Sequence, residues 1–374
     1  MNPTATVGFS DSDRAELHAA LRAALDDLCP PQKVRADVQS AEGWDRALWR
    51  RLCTEVGLAG LGVPVDLGGA GGGLAEVGTA FEEAGAALLC APLLSTVALA
   101  LPQLLGSGDR TAIADYVPAI LSGELVATVA AADLAGAHPP AARVRATSGP
   151  GGWRLDGAAG HVVDATAADL ILVPAWTEDR MACFAVERGA DGLRVENLTT
   201  LDLTRRQAHL HFKATPARLI GSLGAEDAVA RGFAQARALL ACEMAGGSAH
   251  VLDMTVTYVK QRVQFGRPIG SFQAVKQKCA DLLIAVESSR SAARHAAAAD
   301  PAELVVAAAV AHAFCGEAYR TVTAAAIQLH GGIGFTWEHD LHLYFKRARA
   351  SAVMLGTESQ DLDIVASHLE RSAS

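Results

Sequence analysis

The order of hydrophobic periods along the chain predicts an α+β multidomain protein. It has an N-terminal all-α domain over residues 1–120, a middle antiparallel β-barrel or sandwich over 121–225, and a C-terminal four-helix bundle over 226–374. Three observations carry this. Apolar residues recur at i, i+3, i+4 and i+7 through the first part, alternate in short runs through the second, and return to the helical period in four long pieces after Ala225.

In the first part, "DSDRAELHAALRAALDDL" follows a Ser/Asp cap, and "GWDRALWRRLCTEVGLAGL" repeats the helical pattern until Gly57 stops it. The glycine-rich "DLGGAGGGLAEVG" opens another helix. It lacks the Lys-Ser/Thr of a phosphate-binding P-loop and no βαβ unit surrounds it, so it reads as a flexible interhelical connection. No charge occurs from Ala84 to Gly108, and about 20 apolar residues can cross a bilayer. Pro92, Ser95, Pro102 and Gln103 interrupt that run, which predicts two buried helices joined by a break and no membrane span.

The second part contains "WRLDGAAGHVVDA", "DLILVPAW", "ACFAVERGADGLRVENL" and "QAHLHFKATPARLI", short runs bounded by turn residues, as an all-β unit requires. The third part divides into helical pieces at 226–263, 271–298, 302–329 and about 337–370, separated by "GRPIG", "ADP" and "HGGIGFTW". Short connections imply antiparallel neighbours, and abundant alanine allows close approach.

Length and charge narrow the function classes. A chain of 374 residues exceeds one ordinary core, and 51% hydrophobic with 20% charged residues is globular rather than disordered. A net charge of −9 excludes the basic stripe that nucleic acid needs. The 7 cysteines (Cys29, Cys53, Cys90, Cys183, Cys242, Cys279, Cys315) form no CxxC pair, which argues against a disulfide framework or zinc site and fits a reducing cytoplasm. The N-terminus lacks a basic region followed by an apolar one, so a secretory signal is not expected.

Two stretches are more specific than periodicity: "YVKQRVQFGRPIGSFQAVKQKCADLL" (258–283) and "IQLHGGIGFTWEHDLHLYFKRA" (327–348). With "GLGVPVDLGGAG" and the α–β–α order, the chain resembles the acyl-CoA dehydrogenase family over nearly its whole length. "TLDLTRRQAHLHF" and "GFTWEHDLHLY" look most like actinobacterial members acting on CoA thioesters of steroid side chains and related lipids. The resemblance implies FAD, whose pyrophosphate a planar guanidinium binds through paired charge-assisted hydrogen bonds.

Arg262 occupies the family position for that contact, made to FAD held largely by a neighbouring subunit. Gln264 and Phe265 follow it, Gln273 matches another cofactor-side position, and Gln328 matches a hydrogen bond to the adenosine end. Gly331 and Gly332 lack a Cβ and permit close backbone approach to the nucleotide. Taken singly, Arg262 could equally serve a helix C-terminus and the glycine pair a helix stop; at family spacing they imply an FAD contact.

Other family features are missing. The carboxylate that removes the α-proton usually precedes Gly-Thr near the C-terminus; here Leu355 stands before Gly356-Thr357. Some members place the base just before an Arg on the first bundle helix; here Ala236 precedes Arg237. Glu358, three residues past the first position, and Glu243, seven past the second, are the displaced candidates. On helices these offsets put Glu358 one turn away and Glu243 about 10 Å along the axis. That is poor geometry for proton abstraction, so each reads more simply as a solvated or helix-pairing carboxylate. The family's flavin-holding Thr-Glu-Pro…Gly-Ser segment is replaced by "TVAAADLAGAHPPAARV", and its Trp-(Ile/Val)-(Thr/Ser) segment by "GHVVDA" with His161.

The pattern implies a half-site: elements reaching a neighbour's FAD are kept, while the chain's own base and flavin-holding groups are absent. The expected partner is a second acyl-CoA dehydrogenase-type subunit in an α2β2 assembly acting on an acyl-CoA thioester, with an electron-transfer flavoprotein-type acceptor. Two alternatives stay open: a complete homo-oligomeric flavoenzyme using Glu358 or Glu243, and a flavin-free thioester-binding scaffold.

Overall fold

The computed structural model describes residues 9–130 and 144–373. Helix α1 (Asp11–Leu28) starts at a capping box, in which Ser10 Oγ accepts from the Asp13 N–H at 3.2 Å and the Asp13 carboxylate accepts from the Ser10 N–H at 2.8 Å. Pro31 begins α2 (Pro31–Gln39), and the Asp45 side chain caps α3 (Arg46–Thr54).

The glycine run before α4 (Leu74–Ala86) is not the flexible connection that its composition predicts. The N–H groups of Gly69, Ala70, Gly71 and Gly72 donate to the carbonyls of Pro64, Gly60, Val63 and Leu61 at 2.9–3.1 Å. A Cβ at Gly69 would stand 2.1 Å from the Val63 carbonyl oxygen, so glycine is there to let two backbones touch. With those donors turned inward, the loop has none of them left for a phosphate.

The uncharged stretch folds as the end of α4, a break, a π-helical segment Leu94–Ala100 continuing into α5 (Leu101–Gly106), all largely buried. Among the described residues no helix is long and apolar enough to cross a membrane. Helix α6 (Arg110–Leu121) closes the segment behind an Asp109 cap.

Among the described residues seven strands follow: β1 (Ala127–Val129), β2 (Arg145–Gly149), β3 (Gly152–Val163), β4 (Leu170–Trp176), β5 (Met181–Glu187), β6 (Leu193–Asn197) and β7 (Gln207–Ile220). The order β4-β2-β3-β7-β5 closes through β5–β4 pairing into a barrel, with β1 beside β4 and β6 beside β7. The expectation of a purely antiparallel unit needs correction, since β1 and β2 both run parallel to β4. The continuous apolar run of β4 has a simple cause. Ile171, Val173 and Ala175 point into the barrel, while Leu170 and Leu172 pack on the helices, so both faces are buried.

The bundle comprises α7 (Glu226–Gln261), α8 (Gln273–Ala298), α9 (Leu304–His330), α10 (Leu341–Ser351) and α11 (Glu358–Ala373). A two-stranded hairpin, β8 (Val263–Gln264) and β9 (Arg267–Pro268), joins α7 to α8. The fourth helical piece expected at about 337–370 is in fact two helices. The chain breaks between Ser351 and Glu358, where Leu355 (φ 64°) and Gly356 (φ 145°) adopt backbone angles that no helix contains.

Packing divides the molecule differently from the chain order. The N-terminal helices and the bundle share one core, in which Trp49 and Phe81 belong with Leu240, Val322 and Leu355; the barrel interior is a second core. Helices α4 and α7 meet at glycines: a Cβ at Gly85 would lie 2.0 Å from the Glu243 carbonyl oxygen, and one at Gly246 1.8 Å from that of Glu82. Gly246→Ala is therefore expected to destabilise the protein by about 3 kcal/mol in urea unfolding, because backbone rather than a movable side chain blocks the methyl. Gly106→Ala, whose Cβ meets nothing within 4 Å, should be neutral or stabilising by at most about 1 kcal/mol.

Candidate functional site

Three helix ends meet at one end of the bundle, because α7, α8 and α9 alternate in direction. The Tyr258 hydroxyl donates to the His330 carbonyl at 3.1 Å and the two rings stack at 4.2 Å, tying the end of α7 to that of α9. Arg262 terminates α7; its N–H donates to the Tyr258 carbonyl and its own carbonyl accepts from Ile269, both at 2.8 Å.

Gln264 and Phe265 sit in the β8–β9 hairpin, Phe265 at φ 53° and 92% exposed. Gln273 opens α8, Gln328 lies in the last turn of α9, and Gly331 (φ 63°) and Gly332 follow. All seven positions are exposed. The Arg262 guanidinium has no ion pair among the described residues, and a Cβ at Gly331 or Gly332 would meet nothing within 4 Å. The seven positions thus present outward one guanidinium without an ion pair, three amide side chains and a Cβ-free stretch of backbone. Such groups suit a pyrophosphate and the polar edge of a nucleotide.

From behind, Arg35 on α2 clamps the loop that continues from the glycines. Its guanidinium donates to Asp340 Oδ1 at 2.7 Å, to the Glu338 carbonyl at 2.6 Å and to the Trp337 carbonyl at 3.1 Å. Charge alone in the sequence does not reveal this contact, which joins residues some three hundred positions apart.

The stretches that carry Leu355 and Ala236, far apart in sequence, are tied together inside the molecule. The Arg237 side chain donates to the Leu355 carbonyl through Nη2 at 2.6 Å and Nε at 3.2 Å. Ala236, the residue before Arg237, and Leu355 are both buried in the same core. Asp361 on α11 stands 3.3 Å from Arg237 and is bonded to His312 Nδ1 at 2.7 Å. Burial lowers the Arg237 pKa, and Asp361 opposes that shift.

Each displaced acid lies beside arginine. Glu358 does not extend the helix carrying Leu355: it begins α11, is exposed, and lies 3.7 Å from Arg320. Glu243, expected to be solvated or paired along its helix, is instead buried between two guanidiniums from other elements. Its carboxylate accepts from Arg205 at 2.6 and 2.7 Å and from Arg347 at 2.8 Å. Burial alone would raise its pKa; Arg205 and Arg347 outweigh that and hold it below the usual carboxylate range. Asp202 completes the cluster at 3.0 Å from Arg347. The sequence signal was charges inside apolar runs, in "TLDLTRRQ" and "YFKRA", but their pairing was not legible there.

Asp164 in "GHVVDA" was also missed. It sits at φ 53°, accepts from Ser95 Oγ at 2.7 Å, and burial pushes its pKa up to about 6, partly offset by that hydrogen bond. His161 is exposed, 3.2 Å from Gln207 Oε1 and edge-on to His209. Most of the "TVAAADLAGAHPPAARV" segment, residues 131–143, lies outside the described residues.

Comparison with known proteins identifies the family. Residues 11–124 match the acyl-CoA dehydrogenase N-terminal domain and residues 224–370 the acyl-CoA dehydrogenase C-terminal domain. The acyl-CoA dehydrogenase IpdE2 of Mycolicibacterium smegmatis is 36% identical over 94% of this chain and 96% of its own length. Among solved structures, a variant of the Tcur3481-Tcur3483 steroid ACAD superposes with a TM-score of 0.87 at 32% identity, covering 97% of this chain and 99% of that one. A chain of the ChsE4-ChsE5 complex from Mycobacterium tuberculosis gives 0.87 at 30%, covering 97% and 98%.

Two tests follow from the buried charges. Glu243→Gln leaves Arg205 and Arg347 without their shared anion and should cost about 3–5 kcal/mol in chemical denaturation. For Asp164 the sign is opposite to that of a paired carboxylate. A raised folded pKa favours the native state at low pH, and that contribution is lost as pH rises through about 6. Asp164→Asn should therefore be more stable than the parent by about 1–2 kcal/mol at pH 8 and level with it at pH 4, read from the two unfolding curves.

Proposed function

Since the chain belongs to the acyl-CoA dehydrogenase family, we propose that it is the subunit of a heteromeric acyl-CoA dehydrogenase that completes the FAD site without supplying the base. The observation that carries this reading is the bond from Arg237, the residue after Ala236, to the Leu355 carbonyl: it ties together the two stretches where a base is expected, and neither Ala236 nor Leu355 can take a proton. Glu243 is held as a carboxylate by two arginines, and Glu358 faces outward, which disfavours a displaced base.

FAD, when bound, would supply the hydride acceptor for dehydrogenation of the thioester. The residues of this chain would contribute binding. Arg262 would offer its guanidinium to the pyrophosphate, Gln328 would bond the adenosine end, and Gly331-Gly332 would let the backbone approach, with Gln264, Phe265 and Gln273 around them. Arg35 holds the following loop in place. The carboxylate that removes the proton belongs, on this reading, to a second acyl-CoA dehydrogenase-type chain. The names of the related Tcur3481-Tcur3483 and ChsE4-ChsE5 assemblies, each with two components, support a heteromer, and the former supports a steroid-type acyl-CoA thioester as substrate. An electron-transfer flavoprotein-type acceptor follows from the family resemblance.

Expressed alone, the chain should carry no stoichiometric flavin; co-expressed with its partner chain it should yield a yellow complex with one FAD per two chains. A yellow, active homo-oligomer from this chain alone would overturn the reading. In the complex, Arg262→Ala should lower FAD retention at least tenfold, and Arg35→Gln should speed FAD release with unfolding unchanged, both read by flavin absorbance after gel filtration.

A further inference from the structure

His161, in the "GHVVDA" stretch, has no part in the function proposed above. Its backbone is unusual. Ala159 on β3 pairs with Leu210 on β7, and Val162 pairs with Ala208, so between these points β3 holds one residue more than β7. The extra length makes a β-bulge, and His161 on it takes φ 52°, a left-handed angle uncommon outside glycine. Bulges re-aim side chains. This one sets His161 against His209, the β7 residue between the two pairs.

The two imidazole rings stand edge-on with centroids 5.5 Å apart. Two imidazoles on one tetrahedral ion, each bound at about 2.0–2.1 Å, have centroids about 5 Å apart, so a small turn of the rings closes a chelate. His161 is also oriented for it. Gln207 Oε1 lies 3.2 Å from its Nδ1, and a carboxamide oxygen only accepts, so Nδ1 carries the proton and Nε2 keeps its lone pair. Metal-ligating histidines are held in this way, by a bond from the nitrogen that does not bind the ion.

His209 has no hydrogen bond or ion pair with a described residue. His211, two positions along the same face of β7, is differently engaged: Glu196 Oε2 lies 3.7 Å from it and 3.1 Å from Arg194. Glu196 is also the cross-strand partner of His209, which puts a carboxylate beside the pair. Among the described residues no group of three or more His, Cys, Asp or Glu is placed to hold an ion. The chelate therefore has two protein ligands, His161 and His209, and water fills its other positions.

We propose that His161 and His209 together bind a divalent late transition metal ion, zinc or a neighbour of it that imidazole suits. The ion would pin the bulge of β3 to β7 and stabilise the barrel by binding the folded state alone. None of the seven residues assigned to the FAD contact takes part, and zinc binding is measured without flavin, thioester or partner chain.

Calorimetric titration of the full chain, free of any affinity tag and stripped with a chelator, should show zinc binding and no magnesium binding. Zinc should also raise the unfolding midpoint. His161→Asn removes the imidazole yet suits the left-handed backbone, and it should weaken zinc binding at least about tenfold and cancel the rise in midpoint. His209→Thr, a replacement at home in a strand, should do the same. His211→Asn should change the affinity by less than about twofold. Zinc affinity within about twofold of the parent in either His161→Asn or His209→Thr would make the pair an aromatic contact only and overturn the proposal. Equal binding of magnesium and zinc would overturn it too.

Discussion

One buried carboxylate organises much of this molecule. Glu243 on α7 accepts from Arg205, at the entry to β7, and from Arg347 on α10, which also lies against Asp202. Two cations and two anions thus sit together in the interior, and each is tolerable there only because the others are in register. Removing water from any one of them alone would cost several kcal/mol. The barrel, the central helix and the helix before the terminal break are thereby committed to one relative placement.

That placement has a consequence for chemistry. Arg205 reaches on to Ser351 Oγ at 3.4 Å and Met354 Sδ at 3.7 Å, and Arg237 takes the Leu355 carbonyl. The turn from Ser351 to Gly356 is held from two sides by guanidiniums, while Asp361 and His312 steady Arg237 from behind. The backbone that would present a base is therefore built with care around a leucine. The ordered turn carries a leucine, whose side chain has no group to accept a proton. The opposite end of the bundle shows the reverse, exposed groups with little internal partnership.

Much of the fold was legible from local pattern. The helical period, the switch to alternation near residue 121 and the return after Ala225 are properties of neighbours a few positions apart, and the strands and helices fall where those patterns change. Where local reading missed, the cause was a contact made at a distance. The glycine run looked loose because glycine is permissive, yet it is tight because another backbone lies against it. The last helical piece looked continuous because Ala, Val, Met and Leu are all compatible with a helix. It breaks where Arg237, more than a hundred residues earlier, captures a carbonyl at the turn.

The sequence by itself determined which elements form, that the chain resembles acyl-CoA dehydrogenases, and that Leu355 and Ala236 stand where a carboxylate is expected. Spacing suffices for those, since each is a matter of residue type at a counted position. Only the tertiary structure decided that Arg237, next to Ala236, takes the Leu355 carbonyl, that Glu243 is locked between arginines, and that Arg35 braces the loop beyond the glycines. Those are pairings of charges and carbonyls across long stretches of chain. Their strength comes from leaving water together, which is a property of the folded interior and not of any segment alone.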